Sequence, residues 1–438
     1  MKFQEKLLYS HIAFEELFDV NNPIHDKRLE ALKFFEKKGF PTRKDEAWKY
    51  TSLNSLINRD YALFPKKETP IELKKVKKFF LYEIDTYKII FIDGVYSPFL
   101  SDTTHDGLDV CLMSAALSKF KYRKIIERYF GNVADNKDSL TALNTSYTRE
   151  GAYIYVPKNV VAEKPIEIIH FSTGKEQAIW LQPRNLIVLD TNSQAQIIER
   201  HQSLKSHEVV TNSVTEIYTN EDALLDYYKI QNDLTSSSLI DNTYISQEKN
   251  STASVHTFSL GGKLVRNNLN FFHTGQRINS TLKGITILDG NQHVDHYTLV
   301  KHSQPNCESF QEYKGIFSEK SKGVFNGKIF VESIAQKTNA FQQSNNLLLD
   351  DLATVNTKPQ LEIFADDVKC SHGCTIGQLD NDALFYLRSR GVPKKEAKAL
   401  LTYAFANNIL DGVQLPVIKK RIKSLISKKL GVNLGFDL

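Results

Sequence analysis

The chain has 438 residues, 41% hydrophobic and 24% charged, with 56 basic against 51 acidic side chains. This is ordinary soluble-protein composition, long enough for two or three structural regions. The net charge of +5 is too small at this length to mark a nucleic-acid surface. No apolar run approaches the roughly 20 residues of a membrane helix, the first residues lack a signal-peptide pattern, and four cysteines make no disulfide framework, so the expected location is cytoplasmic.

In chain order, residues 1–75 read as a helical region. Leu29, Leu32 and Phe35 fall on one stripe, and Gly39 is placed to end that helix. A turn and a charged segment follow, Pro41-Thr42-Arg43-Lys44-Asp45-Glu46-Ala47-Trp48-Lys49-Tyr50-Thr51, then a lysine- and proline-rich linker around Pro65 to Pro70.

Residues 76–365 have a different texture. Short β-branched and aromatic runs recur, among them Tyr153–Val156, Ile166–His170, Asn185–Leu189, Ser254–Phe258, Leu282–Ile287 and Val324–Val331, separated by Gly, Asn, Asp and Ser. This predicts a mainly β core: a sandwich pair, a barrel or a solenoid. The length of the β zone favours the solenoid, because coils can be added without enlarging one core. No strict hexapeptide repeat is visible.

Residues 366–438 open with Asp366-Asp367-Val368-Lys369-Cys370-Ser371-His372-Gly373-Cys374 and turn helical. Asp380 is an N-cap candidate, Ala383, Leu384 and Leu387 form a stripe, and Gly391 can end the helix. Pro393 suits the first turn of a second helix, with a stripe at Ala397, Leu400, Leu401, Ala404 and Phe405. A third starts near Pro416, carrying Ile418, Ile422, Leu425 and Ile426, with Lys419, Lys420, Lys423, Lys428 and Lys429 opposite.

Several chemistries are excluded. Gly323-Val324-Phe325-Asn326-Gly327-Lys328-Ile329 is one residue short of a phosphate loop and lacks its Ser/Thr, so its glycines read as structural, in a tight β turn. No dinucleotide fingerprint or nucleophile elbow appears. His293 and His296 would point to opposite faces of a strand. His170, His201, His256 and His273 each sit alone in β runs and read as structural. The weight falls on Cys370, His372 and Cys374, soft ligands suited to iron, zinc or copper(I). At i, i+2 and i+4 of a strand they share a face, but successive side chains stand about 7 Å apart, too far to close a tetrahedral site. Gly373 offers a bend that would bring two together, and a second polypeptide would complete the set. The alternative at this level is that both cysteines are small buried hydrophobes.

The segment Asp366–Gly373, continuing through Thr375-Ile376-Gly377 and Ala383-Leu384-Phe385-Tyr386-Leu387-Arg388-Ser389-Arg390-Gly391, resembles the core signature of the SufB/SufD family of iron–sulfur cluster assembly scaffolds. Gly327–Val331 through Ala335, Thr338, Ala340 and Gln342 to Leu347–Leu349 is similar to the family's central region, and Pro41–Thr51 to the N-terminal motif of its SufD branch. The absence of any cysteine before Cys111 separates the chain from the SufB branch, the nearest alternative. The resemblance implies a right-handed parallel β-helix core with N- and C-terminal α-helical domains, and a non-catalytic role. It implies a SufB partner through the core, a SufC ATPase partner through the C-terminal helices, and a possible homodimer in isolation; no nucleic acid or membrane is involved. No metal is held permanently. A transient iron–sulfur cluster or iron forms at the interface, with His372 first, Cys370 second, and Cys374 third because relatives often carry Ala there. ATP binding by SufC would twist the interface and expose a site buried at rest. A β-helix carbohydrate-active enzyme and a stand-alone zinc protein are the readings from other classes.

Overall fold

A computed structural model describes residues 2–17, 22–63, 71–103, 107–134, 138–173, 177–206 and 208–431. The linker expected at Pro65 to Pro70 lies outside the described residues.

From Ala152 onward the chain alternates between two sheets. One contains Ala152–Val156, Arg184–Leu189, Val209–Thr219, Ser237–Gln247, Leu264–His273, His293–His302, Lys322–Val331 and Thr354–Ile363. The other contains Tyr87–Ile92, Ile166–Ser172, Gln194–Ser203, Leu224–Gln231, Thr252–Ser259, Asn279–Leu288, Glu308–Phe317, Thr338–Leu348 and Val368–Gly377. Each coil gives one strand to each sheet, and these neighbours run parallel. The crossover that parallel pairing requires is therefore the strand on the opposite sheet. The result is a parallel β-solenoid of about 8 turns with helices at both ends of the chain, as expected.

Residues one coil apart stand side by side, as Ser203 and Asp233 do 30 positions apart. Corners recur in the left-handed backbone region at Asn192, Asp222, Asn250 and Asn306, where Asn and Asp tolerate positive φ better than most side chains. Inward rows can be followed along the sheet. Tyr87, Ile166, Ile197, Tyr227, Val255 and Leu282 are successive register partners, and they fill the largest apolar cluster. The six runs read as strands all lie in strands. Gly323 and Gly327, read as turn glycines, instead lie inside strand Lys322–Val331. A Cβ on Gly327 would meet Gln342 Nε2 at 2.3 Å, and one on Gly323 the Phe317 ring at 2.2 Å. Close packing, not a turn, requires glycine at both positions.

The helical ends fold back onto the solenoid. Phe3, Leu7, Phe35, Phe40 and Trp48 form one cluster with Trp180, Val210 and Ile240 of the first sheet. The Pro41–Thr51 segment is the clasp. Trp48 is buried beneath the Arg266 guanidinium, 4.7 Å from the ring, Arg266 pairs with Asp295, and the Thr51 hydroxyl also reaches Asp295. His293 meets Thr51 Oγ1 at 2.9 Å, whereas His296 bonds Thr286 at 2.8 Å; as expected, they serve different sides of the strand.

In helix His25–Lys38, Gly39 is the C-cap at φ 69°. The buried side chains are Arg28, Ala31 and Phe35, while Leu29 and Leu32 are only half-buried. The stripe is rotated because Arg28 Nη2 finds the Thr148 carbonyl at 2.6 Å, which satisfies part of a buried charge.

At the other end Asp380 caps helix Asn381–Ser389 through the Asp382 and Ala383 amides, and Pro416 opens Pro416–Lys429. Pro393 is the residue before helix Lys394–Asn407, which buries Ala397, Ala399, Thr402 and Ala406. Ala404, placed on the stripe, is exposed, and Leu400, Leu401 and Phe405 are half-buried; a narrow face of small residues lets this helix approach closely. Ile418, Ile422 and Ile426 pack with Ile198, Tyr228, Phe258 and Ile285 on the outer face of the second sheet. The solenoid itself continues past residue 365 to Gly377, so Cys370, His372 and Cys374 lie on its last strand.

Candidate functional site

Cys370, His372 and Cys374 lie on strand Val368–Gly377, which ends its sheet with one neighbour, Thr338–Leu348. Their register partners are Ala340, Gln342 and Ser344, all buried. The three therefore extend inward-facing rows to a coil that no further coil covers. The central row changes character as it approaches this end: Val255 and Leu282 give way to Gln311, Gln342 and His372. Gln342 donates to Gln311 at 3.3 Å, and Gln311 accepts from Thr298 at 2.8 Å. His372 thus stands at the mouth of a polar lane.

His372 and Cys374 are exposed and Cys370 is half-buried. Cys370 packs near Ala340, Leu361 and Ile363, and this burial pushes its thiol pKa up. The strand pairs without interruption through Gly373; the bend considered there does not occur. Among the described residues, the only His, Cys, Asp and Glu side chains whose ligand atoms converge in a group of three lie elsewhere, at His170, Glu199 and His201. The terminal set is open.

Beside it the first sheet ends on strand Thr354–Ile363, which carries Pro359, a residue suited to an edge. Both edges present unpaired backbone groups, the usual template for another chain. Phe364 and Ile376 are exposed nearby, and on helix Asn381–Ser389, which buries no residue, Phe385 is 72% exposed and Tyr386 57%. Exposed aromatics clustered in this way mark interaction surfaces.

Four histidines expected to sit alone do not. His170 and His201 stack at 4.6 Å between centroids, and His273 Nδ1 meets His302 Nδ1 at 3.1 Å. His256 stacks on Tyr228, and neither of its ring nitrogens has a hydrogen-bond partner. Only the coil repeat brings such pairs together, a signal available to anyone who aligns the chain with itself at a spacing near the 29 residues that separate His273 from His302.

The chain is thus a parallel solenoid with two open edge strands, one of them carrying Cys370, His372 and Cys374. Comparison with known proteins gives its class. Residues 170–405 match the family described as SUF system FeS cluster assembly, SufBD core domain, and residues 12–168 match the SufBD protein N-terminal region. The chain is 32% identical to an iron–sulfur cluster assembly SufBD family protein of Synechocystis, over 92% of this chain and 90% of that one. It is 30% identical to the iron–sulfur cluster assembly protein SufD of Escherichia coli, over 96% of each, and 27% identical to SufD of Bacillus subtilis, over 71% of each. The chain belongs to the SufBD family of iron–sulfur cluster assembly proteins. No helix among the described residues is long and apolar enough to cross a membrane.

Proposed function

We propose that this chain is the SufD-type, non-catalytic scaffold subunit of a SufB–SufC–SufD complex, and that cluster assembly takes place where its terminal edge meets a SufB-type partner. One observation carries the reading: Cys370, His372 and Cys374 end three inward rows on an uncovered edge strand, an incomplete ligand set facing the position a partner's chain would take. His372, at the end of the polar lane, is the principal contributor; Cys370 is second and Cys374 third. Iron and sulfide are the cargo. Neutral imidazole and thiolate both ligate iron, and a half-site shared between subunits releases its product when the subunits move.

His372 is exposed on the chain alone, so burial at rest has to come from the partner, and ATP-driven twisting of the interface would uncover it. The SufC-type ATPase docks on the C-terminal helices, a reading supported by the exposed Phe385 and Tyr386. In this reading ATP hydrolysis belongs to the SufC-type subunit, which is supported by Gly323–Ile329 lying in a strand and not in a loop leading into a helix.

The test is anaerobic cluster reconstitution on the full complex carrying His372→Ala. The expected result is a large loss of cluster with the ATPase subunit still bound. Wild-type cluster yield together with wild-type ATPase binding would remove His372 from the mechanism.

A further inference from the structure

Inside the solenoid, six coils before the open end, strands Ile166–Ser172 and Gln194–Ser203 place His170 opposite His201, with Glu199 two residues before it on the same face. One ligand atom from each of the three lies within 4.8 Å of the others. Glu199 Oε1 is 3.3 Å from His170 Nε2 and 3.8 Å from His201 Nε2, yet neither nitrogen makes a hydrogen bond of acceptable geometry. Both histidines and the carboxylate are largely buried, where unpartnered polar nitrogens are costly. His170 Nε2 and His201 Nε2 both face Glu199 Oε1 from adjacent coils, with the two rings stacked at 4.6 Å.

We propose that His170, Glu199 and His201 form a ferrous-ion site in the lumen. Two imidazoles and one carboxylate with open positions are the donor set associated with non-haem Fe(II). Ligand bonds of about 2.1 Å set adjacent ligand atoms of a facial triad roughly 3.0 Å apart. The His170–Glu199 spacing of 3.3 Å lies close to this, and turning the His201 ring out of its stack supplies the remainder. The carboxylate is held from behind: the Tyr227 hydroxyl donates to Oε2, and Asn185 Nδ2 approaches Oε1 at 3.3 Å. Such outer partners orient a metal ligand. Lys229, 3.8 Å from Oε2, does not compete for the carboxylate, because it is paired with Asp241 at 2.6 Å. A cavity of about 20 Å³ lined by His170, His201 and Asp233 has room for one water as a further ligand. The site stands on this donor set and shares no residue with the terminal Cys370/His372 edge, so the two readings fail separately.

The test uses the full chain, stripped with chelator and titrated with Fe(II) under anaerobic conditions. One ion per chain is expected, with a first shell of nitrogen and oxygen and imidazole outer scattering in X-ray absorption. Glu199→Gln and His201→Gln should each weaken binding by tenfold or more, while a His372→Ala, Cys370→Ser chain keeps it. Sulfur in the first shell, loss of binding in the terminal-edge variant, or no stoichiometric iron in the wild type would each overturn the proposal. Circular-dichroism melts identify any misfolded variant, in which case the wild-type absorption spectrum decides.

Discussion

Ile422 is the centre of the contact that holds the C-terminal helices against the solenoid. It is fully buried and flanked one turn away on each side by Ile418 and Ile426, also fully buried, against Ile198, Tyr228 and Ile285. Ile422→Ala removes three carbons from a packed site, a change that costs about 2–5 kcal/mol by lost transfer energy and residual cavity. Solenoids unfold in parts, so the loss should appear locally, as easier detachment of helix Pro416–Lys429, before any global transition. At about 1.4 kcal/mol per tenfold, amide exchange across that helix should accelerate at least about 30-fold, with little change in strands Thr252–Ser259 and Asn279–Leu288. Native-state hydrogen exchange with mass spectrometry reads both at once. Binding of the ATPase subunit should weaken with it if the docking surface rides on this helical unit. Acceleration below about fivefold, or uniform acceleration across the solenoid, would show that the helices are not an independently detaching layer held by this contact.

Gly151 has φ 153°, and a Cβ there would stand 1.9 Å from the Arg184 carbonyl oxygen; Gly151→Ala should therefore cost on the order of 1–3 kcal/mol and lower the melting temperature by about 1–3 °C at this chain length, measured by calorimetry. Alkylation followed by mass spectrometry should modify the exposed Cys374 first and Cys370 second. Cys111, pushed up to about 11 by burial, and the fully buried Cys307 should stay unmodified until the chain unfolds. His256 is held neutral by burial, with the Lys283 ammonium adding to the effect, and its pKa falls from 6.5 to about 4. Because the folded value lies below the unfolded one, its contribution to stability is complete above pH 6.5 and is lost as pH falls towards 4, by up to about 1.4 kcal/mol per unit. Exchange in the neighbouring residues 409–415 should quicken over that window in wild type, and His256→Gln should flatten the dependence.

What was legible in the sequence was whatever depends on neighbours along the chain. Gly39, Asp380 and Pro416 mark helix ends through local backbone chemistry, and all three do so in the structure. The strand runs were visible because β-branched and aromatic residues cluster within single strands. What depends on the coil was not. Arg28 could not be assigned to the core, since the carbonyl that accepts from it belongs to Thr148, 120 positions away. The inward rows carry no apolar period to detect, because Leu282 leads to Gln311, Gln342 and His372 along one line. Gln342 bonds Gln311 one coil away rather than a residue nearby in sequence.

The same property explains why the terminal edge was recognisable while the lumen was not. Cys370, His372 and Cys374 are chemically unusual within five residues and can be read locally; their incompleteness follows from the strand rise alone. His170 and His201 become notable only once the register sets one against the other. A solenoid therefore hides its interior chemistry from a linear reading and displays it at its ends, where the last coil has no successor. In this chain the inward polar lane reaches such an end at His372, and the row beginning Phe91, His170 and His201 continues as Gln231 and Ser259 in the same sheet. That row runs on through Thr286, Gly315 and Asn346 to Ile376, four positions beyond His372 on the same edge strand, so the uncovered edge displays the ends of both rows side by side.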